Sequence, residues 1–205
     1  MPVRLIKHRG KNSNAGKEQN MDNAAILYQR YLDGGDDALE KLVEMYNDSL
    51  IFYVNGFVGN ITISEDIAAD TFAELIVKKY RFKNDYMFKT WLFKIARNNA
   101  IDYMRKQSRR HNISIEDLEN ELSDKETLEN AILKDEQAKQ LHDAMATMHN
   151  DYRDVLHLIY FEQMSYENAA AVLGKNIKQI KNLVYRAKQT LKSTLEKRGF
   201  IYENI

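Results

Sequence analysis

The chain contains no cysteine, which excludes a disulfide framework and any thiolate-bound metal. Its five histidines are scattered with no partner at ligand spacing, so a zinc site is not expected and no cofactor is called for. The one proline is Pro2, and glycine occurs only eight times in 205 residues. Helix breakers are therefore scarce, and long periodic segments rich in Leu, Ile, Ala, Lys and Glu point to an all-α chain. No apolar run is long enough to span a bilayer. The N-terminal stretch MPVRLIKHRGKNSNAGKEQN lacks the apolar core of a secretory signal. The expectation is a cytoplasmic protein, away from membranes, with a disordered basic tail over residues 1–21. No Ser/His/Asp set, Gly-rich phosphate loop or pair of carboxylates in an apolar setting stands out, so neither an enzyme nor a small-molecule substrate is expected.

Net charge is also missing, with 30 Lys and Arg against 30 Asp and Glu, but the balance hides a segregation. From Lys78 to Arg110 the cations are opposed only by Asp85 and Asp102, and from Lys175 to Arg198 the chain is basic again. Between these blocks, from Glu116 to Glu136, acids dominate over Lys125 and Lys134. Two basic blocks separated by an acidic one suggest two nucleic-acid surfaces and a connector.

The second basic block holds the most specific pattern. In MSYENAAAVLGKNIKQIKNLVYRAKQTL, from Met164 to Leu191, Ser165 can cap a short helix with Ala169, Ala170, Val172 and Leu173 on its apolar side. Gly174 stands where a helix ends, and Asn176 with Gln179 forms a capping-box start for the next. At about 100° per residue, Ile177, Ile180, Leu183, Val184, Ala187, Leu191 and Leu195 share one face of that helix. Lys178, Gln179, Asn182, Tyr185, Arg186 and Gln189 share the other, with Lys181 and Lys188 at its boundary. A basic face alone suits a solvated surface helix equally well. Joined to the preceding helix, the glycine and the cap, it reads as a helix-turn-helix whose second helix enters a major groove.

Upstream, the spacing predicts helices over Asn23–Leu32 and from Asp36 or Asp37 to Val58. A third begins at Ser64, its buried stripe formed by Ile67, Ala68, Thr71, Phe72, Leu75 and Ile76. Asp66, Asp70 and Glu74 form an acidic edge. In the next stretch Tyr80, Phe82, Tyr86, Phe88, Trp91 and Phe93 alternate with Arg81, Lys83, Lys89 and Lys94. Interleaved cations and rings are what a single-strand surface requires, because cations track the backbone while rings stack on unpaired bases. Some rings must be core: on a helix from Thr90, Trp91, Leu92, Ile95, Ala96 and Tyr103 turn inward, against Lys94, Arg97, Asn98, Asp102 and Arg105. Asp151 is expected to cap the helix before the helix-turn-helix, and His157 to lie on its surface.

The W-L-x-x-I-A-R-N run from Trp91 to Asn98 and the Y-F-x-x-x-S-Y-x-x-A-A run from Tyr160 to Ala170, in this order, resemble the sigma-70 family of bacterial RNA polymerase sigma factors, the extracytoplasmic-function (ECF) type most of all. The resemblance implies two helical domains, residues 22–106 and 135–198, a flexible acidic linker over 107–134, and a tail at 199–205. It implies core polymerase binding through Asp66, Asp70, Phe72 and Glu74. It implies melting and capture of a minus-ten element by Tyr80, Phe82, Phe88, Lys89, Trp91, Lys94, Asn98, Asp102 and Arg105. A minus-thirty-five duplex would be read by Lys178, Gln179, Lys181, Asn182, Tyr185 and Arg186. The partners implied are RNA polymerase core and promoter DNA, with room for an anti-sigma protein. The chain departs from the family's usual pattern at His149, Lys175 and Leu183, positions that bear on promoter sequence rather than on fold. A stand-alone helix-turn-helix regulator with an N-terminal sensing domain is the alternative.

Overall fold

The computed structural model describes residues 23–80, 88–111 and 136–199, and these are helical with no strand among them. The helices are α1 (Asn23–Leu32), α2 (Asp36–Val58), α3 (Ile61–Lys78), α4 (Phe88–His111), α5 (Glu136–Ala146), α6 (Asn150–Leu156), α7 (Tyr166–Leu173) and α8 (Ile177–Lys197). A single π-turn over His157–Phe161 continues α6. There the Glu162 N–H bonds the His157 carbonyl at 3.1 Å and the Met164 N–H bonds that of Leu158 at 2.9 Å. Phe82 and most of the expected linker lie outside the described residues. The structure carries α4 through Gln107 to His111, past the boundary expected at residue 106.

Helices α1 to α4 surround one core. Leu42, Leu50, Val54, Leu75, Phe88 and Leu92 are sealed in it, and Tyr28 packs on Phe88 with ring centroids 5.2 Å apart. Truncating a buried ring of this kind costs about 3–5 kcal/mol. Gly59, at φ 59°, ends α2 in the left-handed conformation, which suits a residue without Cβ. The start of α3 differs from the expected one. Asn60 is its N-cap, accepting from the Ile63 N–H at 3.2 Å. Ser64 lies a turn inside, its hydroxyl donating to the Asn60 carbonyl at 2.7 Å. Likewise, Gly35 rather than an aspartate occupies the N-cap of α2, with Asp36 and Asp37 in the first turn, where they complement the helix dipole. The N-cap of α6 is His149, whose ring accepts from the Asp151 N–H at 3.3 Å.

The helix-turn-helix forms as its sequence dictates. The Ser165 hydroxyl accepts from the Asn168 N–H at 3.1 Å, and Gly174 turns the chain at φ 63°. Asn176 and Gln179 make both bonds of a capping box, each 2.8 Å. Ile180, Val184, Ala187 and Leu195 are buried beneath α8.

The two halves of the chain also touch each other: α4 packs on α7, and α2 on α6. Their seam joins apolar and aromatic contacts, among them Phe52 on Phe161 with ring centroids 5.8 Å apart, to a set of buried polar ones. The Tyr53 hydroxyl donates to Asp154 Oδ1 at 2.5 Å, and Arg97 Nε donates to Oδ2 at 2.7 Å. Lys89 Nζ lies 2.8 Å from both Glu162 Oε2 and the Glu162 carbonyl. The Ser49 hydroxyl donates to Glu162 Oε1 at 2.9 Å, and His157 Nε2 lies 3.3 Å from the same oxygen. His157 is thus buried, not on the surface, because its ring sits against Phe52 and Tyr53 at centroid distances of 5.3 and 5.0 Å. Arg97, expected among the outward residues of α4, is half-buried because it pairs with Asp154 across the seam. Removing one partner of such a buried pair costs about 3–5 kcal/mol, since it strands the other charge.

Candidate nucleic-acid interface

On α4, Lys94, Asn98, Asp102 and Arg105 are all exposed. They recur at spacings of four, four and three, which places them on one side of the helix. Arg105 Nη1 lies 3.6 Å from Asp102 Oδ1 in an open i, i+3 pair. Trp91, three residues before Lys94, stands at the rim of this stripe, half-buried rather than fully inward. Tyr80 meets it edge-on, centroids 4.4 Å apart. This part of the lobe therefore offers cations, an amide and a tilted aromatic pair side by side, a combination able to hold an unpaired strand.

Two expected members behave differently. Phe88 has no exposed surface: its ring is in the core against Tyr28 and Tyr46, so it cannot stack on a base. Lys89 faces the seam, bound to Glu162, and is separated from the Lys94 stripe.

On α3, Asp66 and Asp70 are exposed. Phe72, at 5% exposure, belongs to the core; it anchors the helix and presents no face to a partner. Glu74 is partly covered. Its carboxylate accepts from Lys78 at 2.6 Å and from the Tyr80 hydroxyl at 2.8 Å, and the Lys78 bond foremost holds its pKa below the usual range. The same contact pushes the Lys78 ammonium up to about 12. The outer face of α3 contains apolar residues that its acidic edge concealed. Val77 is 80% and Ile76 42% exposed, the latter contrary to its expected inward position, and Ala69 and Ala73 are exposed beside them. The spacing 66, 69, 70, 73, 77 was readable as one helical side, and its small residues let another helix approach closely.

On α8, Lys178, Gln179, Lys181, Asn182, Tyr185 and Arg186 are all exposed, with Tyr185 at 66%. The outer side of the helix is thus a continuous surface of long donors and one phenol. Two nearby cations are engaged internally. Lys188 Nζ lies 5.0 Å above the Tyr160 ring, and Lys175 pairs with Asp151 at 3.1 Å. No helix of the described residues is long and apolar enough to cross a membrane.

Behind these surfaces, the seam charges are shaped by burial. Burial pushes the Asp154 carboxyl above its ordinary value, against the Arg97 guanidinium and the Tyr53 hydroxyl. Burial works the same way on Glu162, but the bonds from His157 and Lys89 outweigh it and hold that carboxyl below 4.5.

The pattern of "Sigma-70 region 2" matches residues 42–110 and that of "Sigma-70, region 4" matches residues 138–191. The chain is 29% identical over 182 residues to the RNA polymerase sigma-H factor of Pseudomonas aeruginosa, covering 83% of this chain and 92% of that protein. It is 28% identical over 191 residues to the ECF RNA polymerase sigma-E factor of Haemophilus influenzae, covering 87% and 97%. Among solved structures, CnrH in complex with the cytosolic domain of CnrY superposes with a TM-score of 0.65 at 23% identity, covering 86% of this chain and 99% of that one. The sigma factor RpoE of Bartonella quintana, in complex with the anti-sigma factor NepR, gives 0.63 at 24% identity, covering 77% and 96%; both likenesses bear on the fold. With region 2 matched in the first lobe and region 4 in the second, in chain order, the protein belongs to the sigma-70 family of RNA polymerase sigma factors, ECF type.

Proposed function

We propose that this sigma factor binds RNA polymerase core and carries it to promoters by contacting DNA at two places. The outer face of α3, with Asp66, Asp70, Val77 and the small residues between them, is the core-binding surface. The side of α4 bearing Lys94, Asn98, Asp102 and Arg105, with Trp91 and Tyr80 at its rim, melts and captures the minus-ten element. The outer side of α8 reads the minus-thirty-five duplex from the major groove. Stacking of flipped bases, rather than any bond chemistry, offsets the cost of unstacking the duplex. An anti-sigma protein is proposed as a further partner, since the sigma factor RpoE of Bartonella quintana is solved in complex with the anti-sigma factor NepR. The observation that carries the reading is the pairing of two separate exposed stripes of DNA-binding residue types, one in each lobe.

The test is to add the protein to sigma-free core polymerase and assay promoter-specific transcripts. Specific transcripts are expected. A protein that binds duplex DNA but never associates with core would make it a stand-alone regulator instead.

A further inference from the structure

The outer side of α8 is not uniform, and its geometry singles out one residue. At about 100° per residue, the directions of the buried Ile180, Val184, Ala187 and Leu195 average to a point about 180° from Asn182. Asn182 is therefore the crest of the helix, the position that reaches deepest when α8 lies in a groove. Its side chain is exposed, and its carboxamide has no bond to another described residue. Counting from the cap Asn176, it lies about 9 Å along the axis at about 1.5 Å per residue. Lys178 and Arg186 stand one turn before and one turn after it, each about 40° off the crest.

Two other amides of α8 are exposed, Gln179 and Gln189, and neither is placed for the same task. Gln179 is committed to the capping box: its Oε1 accepts from the Asn176 N–H at 2.8 Å, which holds the carboxamide against the start of the helix. Gln189 lies about 10 Å beyond Asn182 along the axis, past the N-terminal turns that meet base edges in this motif. No Asp or Glu occurs from Ile177 to Leu195, so this length of α8 brings no carboxylate to accept from a cytosine N4 amine.

A carboxamide carries an acceptor beside a donor. In the major groove adenine alone presents the complementary pair on one base, an N6 donor beside an N7 acceptor. The neighbouring cations cannot make this pair, because Lys and Arg only donate. We propose that Asn182 fixes one base pair of the minus-thirty-five element as A·T: its Oδ1 accepts from adenine N6–H and its Nδ2 donates to N7. Gln179 is a positioning residue that holds the start of α8 and reads no base. The proposal rests on the assignment of α8 to the minus-thirty-five duplex made above. One such bidentate contact discriminates against the wrong base by about 5- to 140-fold.

The test uses core polymerase reconstituted with the full chain to select from promoter duplexes randomised across the minus-thirty-five region, followed by sequencing of the bound fraction. The parent is expected to enrich an element containing one adenine whose advantage falls at least about fivefold in Asn182→Ala, while preferences at the flanking pairs persist. Asn182→Asp, of the same shape but without a donor for N7, loses that adenine too. Gln179→Ala weakens binding alike for every base, since it loosens the helix start without leaving a base edge unread. An adenine preference that survives both Asn182 variants overturns the contact and assigns the preference to DNA shape. Weakening that is even across all bases in Asn182→Ala also overturns it, because a phosphate contact behaves in that way. A base preference lost in Gln179→Ala refutes the division of roles between the two amides. If the parent enriches no element in this region, the assignment of α8 falls and the adenine contact with it, whereas an element enriched alike by parent and variants removes the adenine contact alone.

Discussion

Replacing Lys178, Lys181 and Arg186 together with alanine removes three cations from the outer side of α8 while leaving its buried residues, Ile180, Val184, Ala187 and Leu195, untouched. All three are exposed and none belongs to an ion pair among the described residues. Each cation that neutralises a phosphate contributes about 0.9 to the slope of log affinity against log salt, so the triple variant should lose up to about 2.7 of that slope. Between 50 and 200 mM salt the parent should therefore lose roughly 40-fold more affinity than the variant. Any of the three that bonds a base edge instead adds about 1–3 kcal/mol of sequence discrimination, lost on substitution. The assay is fluorescence anisotropy of a labelled minus-thirty-five duplex titrated with salt, using polymerase reconstituted with each protein. Lys188→Ala is the internal control. Lys188 lies over the Tyr160 ring, so its removal should leave the slope within error of the parent. An unchanged slope in the triple variant that still binds core, or a Lys188→Ala loss as large as that of an outward cation, would refute the assignment of α8.

The α3 surface gives a complementary test: Val77→Lys, at a position 80% exposed, should leave the unfolding curve within about 0.5 kcal/mol of the parent yet weaken association with core, and full retention of core binding would remove that face from the interface. Gly174→Ala should destabilise by about 1–2 kcal/mol in urea unfolding, because φ is +63° while open space surrounds the missing Cβ, so backbone strain alone is at issue. The seam predicts a pH dependence. Glu162, held below 4.5 by His157 and Lys89 against its burial, contributes stability that is fully present above pH 4.5 and lost as pH falls through its lowered value. Asp154, raised by burial, has the opposite sign, since its protonation relieves the folded state. The informative quantity is therefore the parent-minus-Glu162→Gln difference in unfolding free energy. It should shrink on acidification below pH 4.5; a difference that is flat or grows there contradicts the assignment.

The helix-turn-helix was readable from sequence because everything that defines it acts over three or four residues. The Ser165 cap, the Gly174 turn, the Asn176–Gln179 box and the two-sided pattern of α8 are all local, and local chemistry is what a sequence prints. The first lobe shows where that ends. Around Phe88 rings and cations alternate, and composition alone does not say which ring faces which way. Helix phase decides it: Phe88 turns into the core, whereas Trp91, three residues later, comes to the rim beside Lys94. The start of α3 moved from Ser64 to Asn60, four residues earlier, where the chain leaves the left-handed Gly59 and the Asn60 side chain accepts from the Ile63 N–H.

The seam had no sequence signal at all. Tyr53 and Asp154 are 101 positions apart, Ser49 and Glu162 113, and each of these residues is ordinary in its own helix. His157 illustrates the consequence. Judged within α6 and the turn that follows, it is a polar residue on an amphipathic segment and belongs outside. Once α2 covers that side, its ring is enclosed by Phe52, Tyr53 and Phe161, with Glu162 as its polar partner. A residue whose burial depends on the docking of a second lobe has an environment that exists only while the lobes are docked. The exposed stripes of α3 and α8 need no such partner to take shape. The outer surfaces of α3 and α8 are thus fixed within each lobe, whereas the contacts that join the lobes depend on how α2 and α4 meet α6 and α7.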